Sequence, residues 1–157
     1  STPVGSIWNG KPTRRKNMVF IMAAHRIPYI ATASLAYLPD LQRKIRTPTE
    51  ITRAGEVMAF LQVHQPCTTG WYYPPEMTVE MGRLAVHTGA WPILEVDHGH
   101  LKVNIKPGKL KPVTEYLKHQ KRFKHLTENQ IQTIQKYTSD DWETYLKLEK
   151  NGKLFGY

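Results

Sequence analysis

Apolar positions recur along this chain in two rhythms, one helical and one alternating, and the switches between them mark out its elements. "NMVFIMAAHR" (17–26) has the apolar density of a short helix, with Asn17 placed to cap it. "IPYIATAS" (27–34) is β-branched and aromatic and predicts a buried strand. In "LPDLQRKIRTPTEI" (38–51), Leu41 and Ile45 share a helical face, and the helix starts near Pro39 and Asp40. Pro48 lacks an N–H and crowds the preceding turn, so it predicts an end or a bend. After Gly55, "VMAFLQVH" (57–64) is nearly continuous apolar, the pattern of a strand covered on both faces.

Helix, strand, helix, strand is the order of a parallel sheet with crossover helices, which makes the fold class α/β. Met77, Met81, Leu84 and Ala85 then recur at helical spacing within 74–91, and Gly89 suits the stop. "PILEVDHGHLKVNI" (92–105) reads as a hairpin turning at His98-Gly99. Residues 111–126 predict a short amphipathic helix with a basic extension. A last helix begins at Thr127, whose pairing with Gln130 makes a capping box, while Leu126 packs back on Ile131. It reaches Leu148, with a break expected at "SDD" (139–141). Residues 1–16 carry Gly, Pro and charge without a period and read as a loop.

A chain of 157 residues with 40% apolar content has room for one domain with a real core. One cysteine cannot form an internal disulfide, which fits a reducing compartment. The longest apolar run, "MVFIMAA" (18–24), is too short to span a bilayer, and no signal pattern opens the chain. These features point to the cytoplasm and away from a membrane. Lys and Arg number 22 against 13 Asp and Glu, a charge of +9. The cations gather at 11–17, 43–46 and 106–125, on loops and helix surfaces, without a recognition helix, zinc finger or RNA-binding signature. Solvated faces or subunit contacts explain them better than nucleic acid does.

Little in the pattern is catalytic. There is no phosphate-cradling glycine loop, no Gly-x-Ser-x-Gly elbow and no pair of histidines at metal spacing on a helix. "DHGH" (97–100) could bring two imidazoles to a metal, but a polar hairpin turn is the plainer reading. His25 reads as a helix end. Asp140 and Asp141 are adjacent and do not share a helix face. Trp71, Tyr72 and Tyr73 read as packing. Cys67, just past a strand end where ligands gather in open α/β sheets, is either a small buried hydrophobe or a reactive or ligating thiol.

Five blocks bear on that choice. They are "TPVG" (2–5), "AAHRIPYIATAS" (23–34), "QPCTTGW" (65–71), "RLAVHTGAWPILEVDHG" (83–99) and "KPVTEYLKHQKRFKHL" (111–126). In order and spacing they closely resemble the C-terminal half of the thiamine diphosphate-binding β chain of the 2-oxoacid:ferredoxin oxidoreductases. Pyruvate:ferredoxin oxidoreductase is the best known member of that family. The resemblance implies the C-terminal half of a thiamine diphosphate-binding fold over 1–105, followed by a basic, helical docking extension over 106–157. In that extension Ile131, Ile134 and Leu148 would need a partner surface, with Lys118, Lys121, Arg122 and Lys124 as an exposed basic face.

The resemblance also implies chemistry. Cys67 matches the distant fourth thiolate of a 4Fe-4S cluster whose other three ligands come from the N-terminal half, with Pro66, Thr68, Thr69 and Gly70 shaping the loop around it. The Gly-Asp-Gly motif and later Asn that hold Mg2+ and thiamine diphosphate in the family are absent here, as are the three partner cysteines. The expectation is half of a β subunit, not competent alone, with thiamine diphosphate and Mg2+ bound mainly by the missing N-terminal half. The implied partners are that half, the other subunits, ferredoxin as electron acceptor, and CoA and a 2-oxoacid as substrates. Pyruvate is the first substrate reading; an aryl, branched-chain or dicarboxylic 2-oxoacid is the alternative. A non-catalytic basic protein that binds nucleic acid is a further alternative.

Overall fold

The computed structural model describes residues 14–55 and 58–154, so most of the loop expected over 1–16 lies outside the described residues. Helix α1 is Met18–Ala24, and the Asn17 side chain accepts from the Phe20 N–H at 3.3 Å. Strand β1, Tyr29–Ser34, is buried at every position. Helix α2, Leu38–Arg53, crosses over to strand β2, Ala59–His64, which runs parallel to β1 in register from Tyr29↔Ala59 to Ser34↔His64.

Two expectations need correction here. Helix α2 continues through Pro48 to Arg53. Proline removes one bond, to the Lys44 carbonyl, while the hydroxyls of Thr47, Thr49 and Thr52 bond the carbonyls of Arg43, Ile45 and Pro48 on the same stretch. Strand β2 is not covered on both faces. It pairs only with β1 and lies at the sheet edge, half-buried over most of its length.

After a one-turn helix α3 (Thr68–Trp71) and a 3₁₀ turn at Pro75–Met77, helix α4 spans Thr78–His87. It is shorter than expected because Pro74 and Pro75 hold the approach out of α geometry, and Gly89, at φ +74°, follows its end. The hairpin forms as expected from β3 (Leu94–Asp97) and β4 (His100–Val103). His98 and Gly99 both take positive φ, as a tight two-residue turn requires. The sheet order is β2-β1-β3-β4. One pairing is parallel, and the hairpin joins β1 antiparallel.

Residues 111–126 shorten to α5 (Thr114–Leu117) and a 3₁₀ turn at Lys121–Phe123. Helix α6, Glu128–Asn151, starts with the expected Thr127–Gln130 capping box and runs unbroken through 139–141. Two of the polar side chains there pair with other side chains rather than with the helix backbone. Ser139 accepts from Gln135, and Asp141 pairs with Arg14.

One sheet face is sealed by α1 and α6. Val19, Ala23, Ile30, Leu94, Val96, Leu101 and Val103 pack there with Trp142 and Tyr145. A second cluster joins Tyr73, Met81, Leu84 and Ala85 to Val113, Tyr116 and Leu117, with Ile131 and Ile134 against it. Ile131, Ile134 and Leu148 therefore find neighbours within this chain.

The opposite face holds charge. Glu95 on β3 accepts from Tyr29, Arg43 and Asn104 at 2.7–3.1 Å. Burial would raise its carboxyl, but those bonds outweigh it and hold it below the usual range. Lys44 of α2, fully buried, donates to the Thr32 carbonyl at 2.8 Å and faces Asp40. Burial pushes its ammonium below the ordinary lysine value, against the pull of Asp40.

Gly82 marks the tightest approach between α4 and the sheet end. A Cβ there would stand 2.6 Å from the Ala36 Cβ and 3.3 Å from the Ser34 Oγ. Gly82→Ala is expected to cost about 1–3 kcal/mol in denaturant unfolding, the penalty of overpacking. An unchanged midpoint would mean that α4 can move away freely.

Candidate functional site

Strand β2 delivers the chain to the sheet's C-terminal edge at His64, whose carbonyl accepts from the Leu35 N–H at 3.3 Å. Gln65 and Pro66 follow. Pro66 is buried, which anchors the turn, and Cys67 emerges exposed. The choice left open by the sequence is settled in part: the thiol is not a buried hydrophobe. Cys67 caps α3, its Sγ accepting from the Gly70 N–H at 3.3 Å and its carbonyl from the Trp71 N–H at 3.0 Å. A Cβ at residue 70 would come to 3.4 Å from Sγ, so glycine leaves the sulfur uncrowded. Thr69 is exposed, while Thr68 borders a shallow depression of about 380 Å³ with Tyr72, Tyr73, Pro74 and Lys121. The predicted residues 66–70 thus form one continuous turn around an accessible sulfur.

Beneath the turn lies an aromatic layer. The His64 ring sits 5.6 Å from Trp71 and 5.2 Å from Trp91, and its Nε2 pairs with the Tyr116 hydroxyl at 3.1 Å. Trp91 donates its indole N–H to the Ala33 carbonyl at 2.9 Å. His64 is only 8% exposed, and burial together with Arg122 and Arg15 pushes its pKa down to about 4. It stands neutral at pH 7. Burial likewise raises Tyr116 to about 12. The His64 Nδ1 and the Tyr73 hydroxyl are buried without a hydrogen-bond partner among the described residues. Trp71 and Tyr73 serve as packing, as expected, whereas Tyr72 is half exposed in a left-handed conformation at φ 55°.

Arg122 is the residue most misplaced by sequence reasoning. Its neighbours in "KHQKRFKH" suggest a solvated cation, yet its guanidinium lies over the Trp71 ring at 4.1 Å, half-buried. His64 was read only as the last residue of a strand. An arginine within a basic run carries no periodic signal of its own, and a histidine ending an apolar run carries a faint one. "DHGH" forms the hairpin turn, with the His98 Nδ1 2.7 Å from Asp97. No group of three or more His, Cys, Asp or Glu side chains suited to a metal gathers among the described residues. No described helix is long and apolar enough to cross a membrane.

No protein-family profile matches the chain. It is 50% identical over 140 residues to pyruvate synthase subunit PorB of Methanocaldococcus jannaschii, which covers 89% of this chain and 46% of the relative. To ketoisovalerate oxidoreductase subunit VorB of Pyrococcus furiosus it is 38% identical, over 99% of this chain and 51% of the relative. To the β subunit of NADH-dependent phenylglyoxylate dehydrogenase of Aromatoleum evansii it is 40% identical, over 87% of this chain and 30% of the relative. The chain spans about half the length of the first two.

The buried His64 gives this layer a pH signature. Its folded pKa of about 4 lies below the ordinary 6.5, so the unfolded chain takes the proton first as pH falls. Stability from this group is full above pH 6.5 and is lost between there and pH 4. Between pH 7 and 4.5 the chain should lose about 2 kcal/mol more than a His64→Gln variant does, read from denaturant midpoints at each pH. Parallel pH profiles for the two would mean that the His64 imidazole titrates alike in the folded and unfolded chain.

Proposed function

We propose that the chain, similar over most of its own length to subunits of 2-oxoacid oxidoreductases, is part of a β subunit of a 2-oxoacid:ferredoxin oxidoreductase. The reaction read for it is oxidation of pyruvate with CoA to acetyl-CoA and carbon dioxide, two electrons leaving to ferredoxin, and it is reversible. The pyruvate synthase relatives at 47–50% identity favour pyruvate over the branched-chain or aryl oxoacids named for the VorB and phenylglyoxylate relatives.

Cys67 is the residue assigned to a 4Fe-4S cluster, as one thiolate of four, with the rest of the subunit supplying the others and holding Mg2+ and thiamine diphosphate. The donor chemistry fits. The sulfur is accessible, its bond from the Gly70 N–H is of the kind that stabilises cluster thiolates, and a buried proline fixes the turn. When bound, the cluster supplies one-electron transfer and thiamine diphosphate supplies carbanion stabilisation at the reacting carbon. This chain's part is to hold that sulfur still. Pro66 and Gly70 set its direction, and the neutral His64–Tyr116 pair packs in the layer beneath the turn. The observation that carries the reading is Cys67 itself, an exposed thiol at the end of a parallel strand in a chain so similar to these subunits.

The sheet supports an assembled subunit. Strand β2 leaves one edge unpaired among the described strands, and Met58, Val63, Leu38 and Ile45 are exposed beside it. We assign that edge to the remainder of the subunit, and the lysines Lys118, Lys121 and Lys124 on the 106–157 segment to contacts with other subunits. Val63→Glu should lower the yield of assembled complex several-fold while leaving the melting of the isolated chain unchanged; normal assembly would remove β2 from the interface.

Cys67→Ser replaces a soft thiolate with a hard, strongly basic oxygen. In the assembled complex it should lower iron per complex, alter the reduced-state electron paramagnetic resonance signal and slow ferredoxin reduction. Full iron with an unchanged signal would end the assignment.

A further inference from the structure

Arg122 is held from several sides. Its Nε–H donates to the Gln120 Oε1 at 2.9 Å, and Gln120, 1% exposed, is itself fixed by its Nε2–H donating to the Tyr116 carbonyl at 2.9 Å. The guanidinium carbon lies 4.1 Å from the centre of the Trp71 ring and 4.5 Å from that of Phe123. Trp71 closes the one-turn helix that Cys67 caps, and the 121–123 turn packs directly against that helix. A planar cation suits this seat, because it can stack on the indole while its edge donates, which an ammonium cannot do.

The charge is also within electrostatic reach of the sulfur. Burial lowers the guanidinium from its ordinary value, and the negative forms of Tyr116 and Cys67 work against that. The exposed cations Lys121 and Lys124 flank Arg122 in sequence but lack its stacking and its buried glutamine anchor. Arg122 is thus a half-buried cation of fixed position stacked on the helix that Cys67 caps.

We propose that Arg122 positions the Cys67 turn and is the fixed positive charge that favours the reduced form of the cluster held by Cys67. This rests on the reading of Cys67 as a cluster ligand. Reduction adds one electron, which ferredoxin later takes, and so adds one negative charge. A cation in a partly desolvated seat stabilises that charged state more than the oxidised one.

The test uses the assembled complex, with redox titration followed by electron paramagnetic resonance and with iron counted per complex. Arg122→Met keeps the packing stem and removes the charge, Arg122→Gln removes the charge with a polar side chain, and Arg122→Lys keeps the charge. The first two should retain iron and lower the reduced-to-oxidised ratio at a fixed potential about tenfold, a shift of about 59 mV to more negative potential for one electron. Arg122→Lys should stay near wild type. An unchanged potential in either charge-removing variant, or an equal shift in all three, would overturn the electrostatic role. Loss of iron in Arg122→Met or Arg122→Gln would also overturn it, since the cation would then be needed to hold the cluster rather than to set its potential. A Cys67→Ser complex with full iron would instead remove the ligand reading, and this inference with it.

Discussion

The parallel pairing of β1 with β2 is the constraint on which the rest of this molecule depends. Six residue pairs, from Tyr29↔Ala59 to Ser34↔His64, carry the second strand to the same end of the sheet as the first. A slip of one residue would turn every side chain of β2 to the other face. His64 would leave the aromatic layer, and Cys67 would emerge on the wrong side of the edge. Strand β1 is held on both faces and through its carbonyls. Thr32, Ser34 and Ala33 are all buried, Lys44 grips the Thr32 carbonyl from α2, and Trp91 grips that of Ala33.

The grip on Thr32 is made by a charge without water around it. Removing Lys44 from solvent is costly, and its bonds to a carbonyl and to Asp40 offset that cost only in this geometry. The arrangement therefore buys specificity more than stability: a helix shifted by one turn would leave an ammonium buried and unpaired. Glu95 of β3, bonded to Tyr29 of β1, Arg43 of α2 and Asn104 just past β4, ties the hairpin to that same strand and helix.

Much of this was legible in the sequence. The helices, both parallel strands, the hairpin turn and the capping box announce themselves through periodicity and local turn chemistry, which act within a few residues. The failures were tertiary. Nothing local tells that β2 is an edge, that α2 continues through Pro48, or that Arg14 reaches Asp141 beside the unbroken stretch of α6. The Cys67 turn was legible as a turn; the chemistry proposed for it rests on family likeness. The partners of the turn were not legible. His64, Trp91 and the Tyr116–Arg122 segment come from three separate stretches, and only the fold gathers them beside the Cys67 turn.

The way α1 and α6 seal one face has a consequence for the order of events in synthesis. The Asn17 side chain donates to the hydroxyl of Tyr145 at 2.6 Å, across 128 positions of chain. Trp142 and Tyr145 complete a core whose strands are finished by Val103. A ribosome-bound chain therefore exposes the apolar face of its sheet for as long as α6 is still inside the exit tunnel. Contacts of such high sequence separation fold slowly and leave sticky surface open meanwhile. The nascent protein thus has a vulnerable interval, set by translation speed rather than by any bond in the finished fold, in which a chaperone has the most to do.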